Sequence, residues 1–303
     1  MSKFLVFYKK KFKININIME IEKDLEEVRK IALNQMWYID YNELIIDTVP
    51  FASGATSEIF NCKWRGINIV IKKLKVKDNF TLKDFLNEIK IWHTIRHPNI
   101  VQFLGISIFA DEIFILLQKI NGPNLKEYIK SNLKLKKKEI ATQLISIFNF
   151  LHNCNPPIIY RDLKAENILI ENNKIYLTDF GISRIYPENS NFKMTGDTGT
   201  LRYMAPEVFK KEYYNLKADV YSLGMLLYFI YKKELPFSGF NRKSIIDYFE
   251  SDHNFNVVLS DKKIKFIIEN CTNKDINKRF NIYDLSLEIE KVSNRKYCCK
   301  LFK

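Results

Sequence analysis

In the run Tyr160-Arg161-Asp162-Leu163-Lys164-Ala165-Glu166-Asn167, a carboxylate, an ammonium and a carboxamide follow one another at steps of two and three residues. Seventeen residues after Asp162, a second carboxylate opens Asp179-Phe180-Gly181. Transfer of a phosphoryl group asks for such a set: a carboxylate to orient the attacking hydroxyl, a cation near the transferring phosphate, and oxygen ligands for magnesium. Asp162, Lys164, and Asn167 together with Asp179 could fill those three roles. A polar turn between two strands explains one such cluster, but hardly two in this order.

Loops that do chemistry need a rigid base. Ile168-Leu169-Ile170 and Tyr176-Leu177-Thr178 read as short buried strands on either side of the step between the two clusters. Upstream, Ile21, Leu25, Val28, Ala32 and Met36 recur at steps of three or four, which predicts an amphipathic helix from Glu20 to Met36. From Leu44 to Leu74, β-rich runs punctuated by Gly54 and Gly66 predict three hairpin-linked strands. A helix from Phe80 to Ile95, ended by His97-Pro98, follows. Two more apolar runs lie at Ile100 to Ile108 and Glu112 to Ile120, before Asn121-Gly122-Pro123-Asn124 breaks the chain. Beyond that break the periodicity is mainly helical, over Leu125 to Ser131, Lys136 to His152, Lys217 to Tyr231 and Ile264 to Asn270. A β-rich part followed by a helix-rich part predicts two lobes joined near Gln118 to Asn124, with a ligand cleft between them.

Composition removes several classes of function. The chain has 303 residues, 47% of them hydrophobic, enough for one large domain or two cored lobes. No stretch approaches the ~20 apolar residues that cross a bilayer, so no stable membrane insertion is expected. Met1 to Tyr8 is too short an apolar run for a signal peptide and reads as a strand or a loose basic arm, with weak membrane-surface contact as its alternative. Five scattered cysteines, Cys62, Cys154, Cys271, Cys298 and Cys299, suggest neither a disulfide framework nor a zinc site and fit a reducing cytoplasm. The adjacent pair Cys298 and Cys299 could accept a lipid, although no C-a-a-X ending is present. The net charge of +13 raises nucleic acid as a partner, but nine of the 48 basic residues are arginines and the lysines are spread beside Ile and Asn. Aromatic residues do not alternate with the basic ones as in a base-stacking surface, so no nucleic-acid partner is expected.

The two clusters, with the motifs around them, resemble the eukaryotic protein kinase family over about residues 44–290. Ile69-Val70-Ile71-Lys72 is similar to the strand that carries the family's phosphate-holding lysine, and Glu88, sixteen residues on, stands where its ion-pair partner lies. Gly199-Thr200-Leu201-Arg202-Tyr203-Met204-Ala205-Pro206-Glu207 resembles the end of the activation segment, and Asp219-Val220-Tyr221-Ser222-Leu223-Gly224 the helix that anchors the catalytic loop. Arg279 stands where an arginine pairs with the Glu207 equivalent. Leu117 takes the gatekeeper position, and Gln118 to Ile120 the hinge whose backbone bonds adenine.

The resemblance implies an α+β, two-lobed protein kinase fold: a small β-rich N-lobe with one main helix over 44–120, and a larger, mostly helical C-lobe over 121–290. An extension (1–43) bearing the amphipathic helix would precede it, and a short basic tail (291–303) follow it. It also implies Mg-ATP and protein substrates, and a set of roles. Lys72 would hold the α- and β-phosphates with Glu88 orienting it, and Asp179 and Asn167 would bind magnesium. Asp162 would orient the hydroxyl and Lys164 stabilise γ-phosphate charge. Phe51, Ala52, Ser53, Gly54, Ile59, Val70, Lys72, Leu117, Gln118, Ile120 and Leu169 would line the nucleotide site. Lys164 and Thr200 are typical of Ser/Thr kinases. Trp37-Tyr38-Ile39-Asp40, His97-Pro98-Asn99-Ile100-Val101 and Met194 to Thr200 resemble the tyrosine-kinase-like group, which includes Raf-like and mixed-lineage members.

Three positions depart from the family pattern. The glycine-rich loop reads Ala52-Ser53-Gly54-Ala55-Thr56-Ser57, so only its central glycine remains, and a weaker grip on nucleotide is expected. Val70 replaces the usual alanine over adenine. Tyr160 replaces the usual histidine, where its ring is expected only to pack beneath the catalytic loop. These departures keep a pseudokinase scaffold as the rival reading. Arg161, next to Asp162, further predicts control by phosphate in the 181–199 segment, with Thr195 and Thr198 as acceptors, or ordering without phosphate through Asp197.

Overall fold

The computed structural model describes residues 18–54, 57–74, 86, 89, 91–110, 112–131, 135–180, 184–185 and 201–293. The arm at Met1 to Tyr8, Ala55, Thr56, Glu88, Gly181, Ser183, Ser190, Thr195, Asp197, Thr198, Gly199, Thr200, Cys298 and Cys299 lie outside these residues. The chain divides into two compact units, one holding the chain up to His93 together with Gln102–Lys119, the other Thr94–Val101 and everything from Ile120 onward.

The first unit opens with helix α1 (Ile18–Asn34), whose Leu25, Val28 and Ala32 are buried as the apolar spacing requires. Met36 breaks the expected pattern: the helix ends at Asn34, and Met36 takes a φ of 60° and is 92% exposed. The backward turn carries Trp37 inward instead, where its ring meets Phe103 edge-on at 5.9 Å. Ile39 then donates its N–H to the Ile106 carbonyl (2.8 Å), and the Ile106 N–H returns to Trp37 (2.9 Å). A Cβ on Gly105 would sit 2.5 Å from the Trp37 carbonyl, so this close approach excludes any side chain there.

Six antiparallel strands follow: β1 (Leu44–Ile46), β2 (Ala52–Ser53), β3 (Ser57–Trp64), β4 (Ile67–Leu74), β5 (Phe103–Phe109) and β6 (Glu112–Gln118). Their order is β1-β3-β4-β6-β5, with β2 also on β3. Among the described residues between 44 and 74 there are four strands, not the three expected. β1 and β2 run along the same edge of β3, separated at Pro50, which has no N–H to give to a ladder. Arg65 and Gly66, at φ 48° and 84°, make the two-residue turn from β3 to β4. The sheet's two faces separate by strand alternation. Cys62, Ile69, Ile71, Phe114 and Leu116 cluster with Ile39 on one. The pairings Ile59 with Lys72 and Val70 with Leu117 put those four residues on the other.

The second unit is mainly helical. It contains α2 (Leu125–Lys130), α3 (Lys137–His152), α4 (Pro206–Lys210), α5 (Lys217–Lys232), α6 (Arg242–Glu250), α7 (Lys262–Cys271) and α8 (Ile282–Ser293). Every residue of α5 from Ala218 to Ile230 is buried, which makes this the central helix of the unit. α4, α6 and α8 lie outside the expected helices: α4 and α6 are short, with Ile245 and Phe249 alone buried in α6, whereas α8 buries Ile282, Leu285, Ile289 and Val292 at helical steps of three and four. Between the helices lie the short strands β7 (Ile158–Ile159), β8 (Ile168–Glu171), β9 (Lys174–Leu177) and β10 (Arg184–Ile185). β8 pairs with β9, and β10 with β7. Residues 94–101 join this unit through β9: Val101 donates to the Leu177 carbonyl (2.9 Å), and Leu177 to that of Asn99 (2.8 Å).

Candidate active site

A buried carboxylate holds the loop from Tyr160 to Asn167. Asp219, in the first turn of α5 and fully buried, accepts the backbone N–H groups of Tyr160 and Arg161, each at 2.8 Å, and contacts His152 Nε2 at 3.0 Å. Two charge-assisted bonds to consecutive amides fix the loop at its entry. The backbone then passes through Arg161 at φ 70°, and Asp179 adopts φ 62° at the second cluster. Neither residue is glycine, and each such conformation costs on the order of 1 kcal/mol, which the surrounding bonds offset.

At the loop's centre the three side chains singled out by spacing meet. Lys164 Nζ lies 2.7 Å from Asp162 Oδ2, and the Asn167 amide donates to the same oxygen at 3.0 Å and to the Asp162 carbonyl at 2.9 Å. The amide also reaches Tyr160 Oη at 3.3 Å, and Tyr160 donates its hydroxyl to the Thr178 carbonyl at 2.5 Å. The Asn167 carbonyl accepts the Thr178 N–H at 3.0 Å. Tyr160 therefore does more than the packing expected of it: its ring meets Phe180 edge-on at 5.2 Å, while its hydroxyl ties the 160–167 loop to Thr178, between β9 and Asp179. Burial raises its pKa well above the ordinary phenol value, and the Asp162 and Asp179 charges add to this, so it stays a neutral donor.

Tyr160→Phe keeps the ring and removes only the hydroxyl. It is expected to destabilise the protein by about 1–3 kcal/mol through the unsatisfied Thr178 carbonyl, read by denaturant unfolding. A ring-only role predicts no change.

Burial pushes the Asp162 carboxyl above its usual pKa; Lys164 and the Asn167 bond oppose the shift, and the Asp179 charge adds to it. The carboxylate is lost as pH falls through this raised value. The acid limb of kcat/KM is therefore expected above the ordinary carboxylate range. Lys164→Gln removes the largest opposing influence and should move that limb to still higher pH. A limb that stays in place in the Lys164→Gln profile would separate Lys164 from the titration.

The other residues divide between the units. In the first, Lys72 is 7% exposed on β4, on the same sheet face as Ile59, Val70 and Leu117. Phe51, Ala52, Ser53 and Gly54 are exposed, and the Gly54 N–H donates to the Ser57 carbonyl at 2.9 Å, closing the β2–β3 hairpin. Gln118 gives its N–H to the Gln102 carbonyl (2.9 Å), so an adenine contact from this residue falls to its carbonyl. In the second unit, Ile120 and Leu169 are half-buried. There the chain break at Gly122 is explained by crowding: a Cβ would lie 1.9 Å from the Ile170 carbonyl.

The donors present suit magnesium and ATP. The Asn167 nitrogen is committed to Asp162 and Tyr160, which leaves its oxygen, with the Asp179 carboxylate, as a pair of hard ligands of the kind magnesium takes alongside water and phosphate oxygens. A lysine 7% exposed on the sheet face that also carries Ile59, Val70 and Leu117 suits an anionic group attached to an apolar ring.

Farther out, Arg279 forms a bidentate pair with Glu207, Nη1 to Oε1 at 2.6 Å and Nη2 to Oε2 at 3.0 Å, both side chains buried. The sequence had offered no role for Glu166 or Lys126, which bond at 2.6 Å beside the loop; forty residues separate them, and no local pattern marks the pair.

Comparison with known proteins agrees with this geometry. Residues 50–297 match the family model described as protein kinase domain. The serine/threonine-protein kinase VIK of Arabidopsis thaliana is 31% identical over 84% of this chain and 62% of its own length. The probable serine/threonine-protein kinase drkC of Dictyostelium discoideum is 35% identical over 66% of this chain and 28% of its own. The dual specificity protein kinase splA of the same organism is 31% identical over 68% of this chain and 10% of its own. The chain thus spans less than two thirds of the length of these relatives. No helix among the described residues is long and apolar enough to cross a membrane. With a family model matched from residue 50 to residue 297, and a carboxylate, lysine and asparagine joined on a loop clamped by Asp219, this chain belongs to the protein kinase family.

Proposed function

We propose that this chain is a Ser/Thr protein kinase of the tyrosine-kinase-like group that transfers the γ-phosphate of Mg-ATP to protein hydroxyls in the cytoplasm. Its catalytic domain would run from 44 to 290, with an extension over 1–43 and a basic tail over 291–303. The observation that carries the reading is the bonded set Asp162, Lys164 and Asn167. Asp162 orients the substrate hydroxyl and takes its proton. Lys164 stabilises charge on the γ-phosphate. Lys72, with Glu88, holds the α- and β-phosphates, and Asn167 and Asp179 hold magnesium. Bound magnesium supplies neutralisation of charge on the phosphate oxygens.

The names of VIK and drkC support Ser/Thr specificity, whereas splA is named as dual specificity. The test therefore separates the acceptor residues. Purified protein incubated with labelled Mg-ATP and myelin basic protein is expected to label serine and threonine on acid hydrolysis. Lys72→Met should reduce labelling by about 10²-fold or more, because a cation at the phosphates is removed. Nucleotide binding without transfer would instead support the pseudokinase reading, for which Val70 and the loop at Ala52 and Ser53 speak. Label on tyrosine as well would indicate dual specificity.

A further inference from the structure

β8 and β9 make a ribbon of two short strands, and such a ribbon is at best marginally stable in water by itself. β9 leads through Thr178 to Asp179, so whatever holds its outer edge bears on where the Asp179 carboxylate stands.

Away from β8, that edge presents the N–H and C=O of Ile175 and of Leu177, and each group needs a partner. Main chain serves Leu177: its N–H donates to the Asn99 carbonyl (2.8 Å), and its carbonyl accepts from the Val101 N–H (2.9 Å). Side chains serve Ile175. Its carbonyl accepts from Asn99 Nδ2 (2.8 Å), and its N–H donates to Gln143 Oε1 (3.0 Å). The same Gln143 oxygen accepts from Asn99 Nδ2 (2.9 Å), while Gln143 Nε2 donates to the carbonyl of Asn173 in the β8–β9 turn (3.1 Å). One carboxamide on α3 therefore joins the 94–101 segment to both the strand and the turn of the ribbon. Gln143 lies 44 residues from Asn99 and 32 from Ile175, and no local pattern marks it.

Backbone continuity carries this anchor to the site. Ile175 precedes Asp179 by four positions, and between them Thr178 is held at both its N–H, by the Asn167 carbonyl (3.0 Å), and its C=O, by Tyr160 (2.5 Å). We infer that Gln143 is a positioning residue for Asp179: by closing the outer edge of β9 it fixes where the carboxylate stands relative to the Asn167 oxygen, and so sets how much magnesium the protein needs to hold nucleotide. This rests on the reading of Asn167 and Asp179 as magnesium ligands. A role confined to stability would lower the thermal transition and leave the magnesium requirement as it is.

The experiment titrates magnesium into the full chain at a fixed concentration of the non-hydrolysable ATP analogue AMP-PNP, with bound nucleotide read by calorimetry. Gln143→Leu keeps the bulk and removes both bonding atoms. The magnesium concentration at half-saturation should rise about three- to tenfold, short of the ~10- to 100-fold that follows loss of a group touching a metal ligand directly. In the metal-free protein, hydrogen exchange at the Ile175 amide should quicken about tenfold, since its acceptor is gone. Gln143→Glu keeps an oxygen for Asn99 and Ile175 and loses only the bond to Asn173, so both readouts should return to within about twofold of the wild type. Thermal transitions check each fold. Gln143→Asn, one methylene shorter, should shift both readouts in the direction of Gln143→Leu and replaces it if that variant does not fold.

A folded Gln143→Leu or Gln143→Asn protein with the wild-type magnesium midpoint overturns the inference. So does a Gln143→Glu protein displaced as far as Gln143→Leu, because the bonds to Ile175 and Asn99 would then not matter. Wild-type protein whose binding of AMP-PNP ignores magnesium overturns the assignment of Asn167 and Asp179, and the inference with it. Transfer of phosphate to myelin basic protein by the wild type, beside an unmoved midpoint in Gln143→Leu, overturns the inference alone.

Discussion

Asp162→Asn is expected to lower turnover by about 10² to 10⁴-fold while leaving nucleotide affinity near that of the wild type. The amide keeps an oxygen that can accept from Lys164 and Asn167, which bond to the Asp162 carboxylate at 2.7 and 3.0 Å, so the loop should hold its shape. What disappears is the charge proposed to orient the hydroxyl and the base proposed to take its proton. Steady-state kinetics against ATP and a protein substrate, beside a direct nucleotide titration, separate the two effects. Near-normal turnover would remove Asp162 from the mechanism. A parallel loss of nucleotide affinity would instead show that the variant disturbs Asn167, which is bonded to Asp162 and is proposed to hold magnesium.

Arg279→Met is expected to cost about 3–5 kcal/mol of stability, because it leaves the Glu207 carboxylate buried without its partner. The pair is bidentate, and both side chains are essentially inaccessible to water. Arg279 also donates to the carbonyls of Asn273 (2.9 Å) and Lys217 (3.0 Å), and its guanidinium stacks over the Tyr221 ring at 5.1 Å. Adding Glu207→Gln removes the stranded charge and should recover part of the loss, but not all of it, since those two carbonyls remain without their donor. Denaturant unfolding of the single and double variants gives both numbers. A single variant as stable as the wild type would mean that water reaches Glu207 when the arginine is gone.

Much of the site was legible in the sequence because much of it is local. Asp162, Lys164 and Asn167 fall within six consecutive positions, so chain length alone keeps them near one another. Asp179 returns to them because Asn172 and Asn173 take positive φ values in a two-residue turn, and because Ile168 then pairs with Leu177. Alternation along β4 likewise put Val70 and Lys72 on one face before any neighbour was known. The turn at Met36 was not legible: it breaks a helical period that the residues continue, and only the burial of Trp37 beside Phe103 explains it. The Tyr160 hydroxyl, the attachment of residues 94–101 to β9 and the pairing of Lys126 with Glu166 also needed the folded chain. Each depends on which elements pack together across 18 to 78 positions of sequence, and periodicity reports only which face of an element is apolar, never what that face will meet.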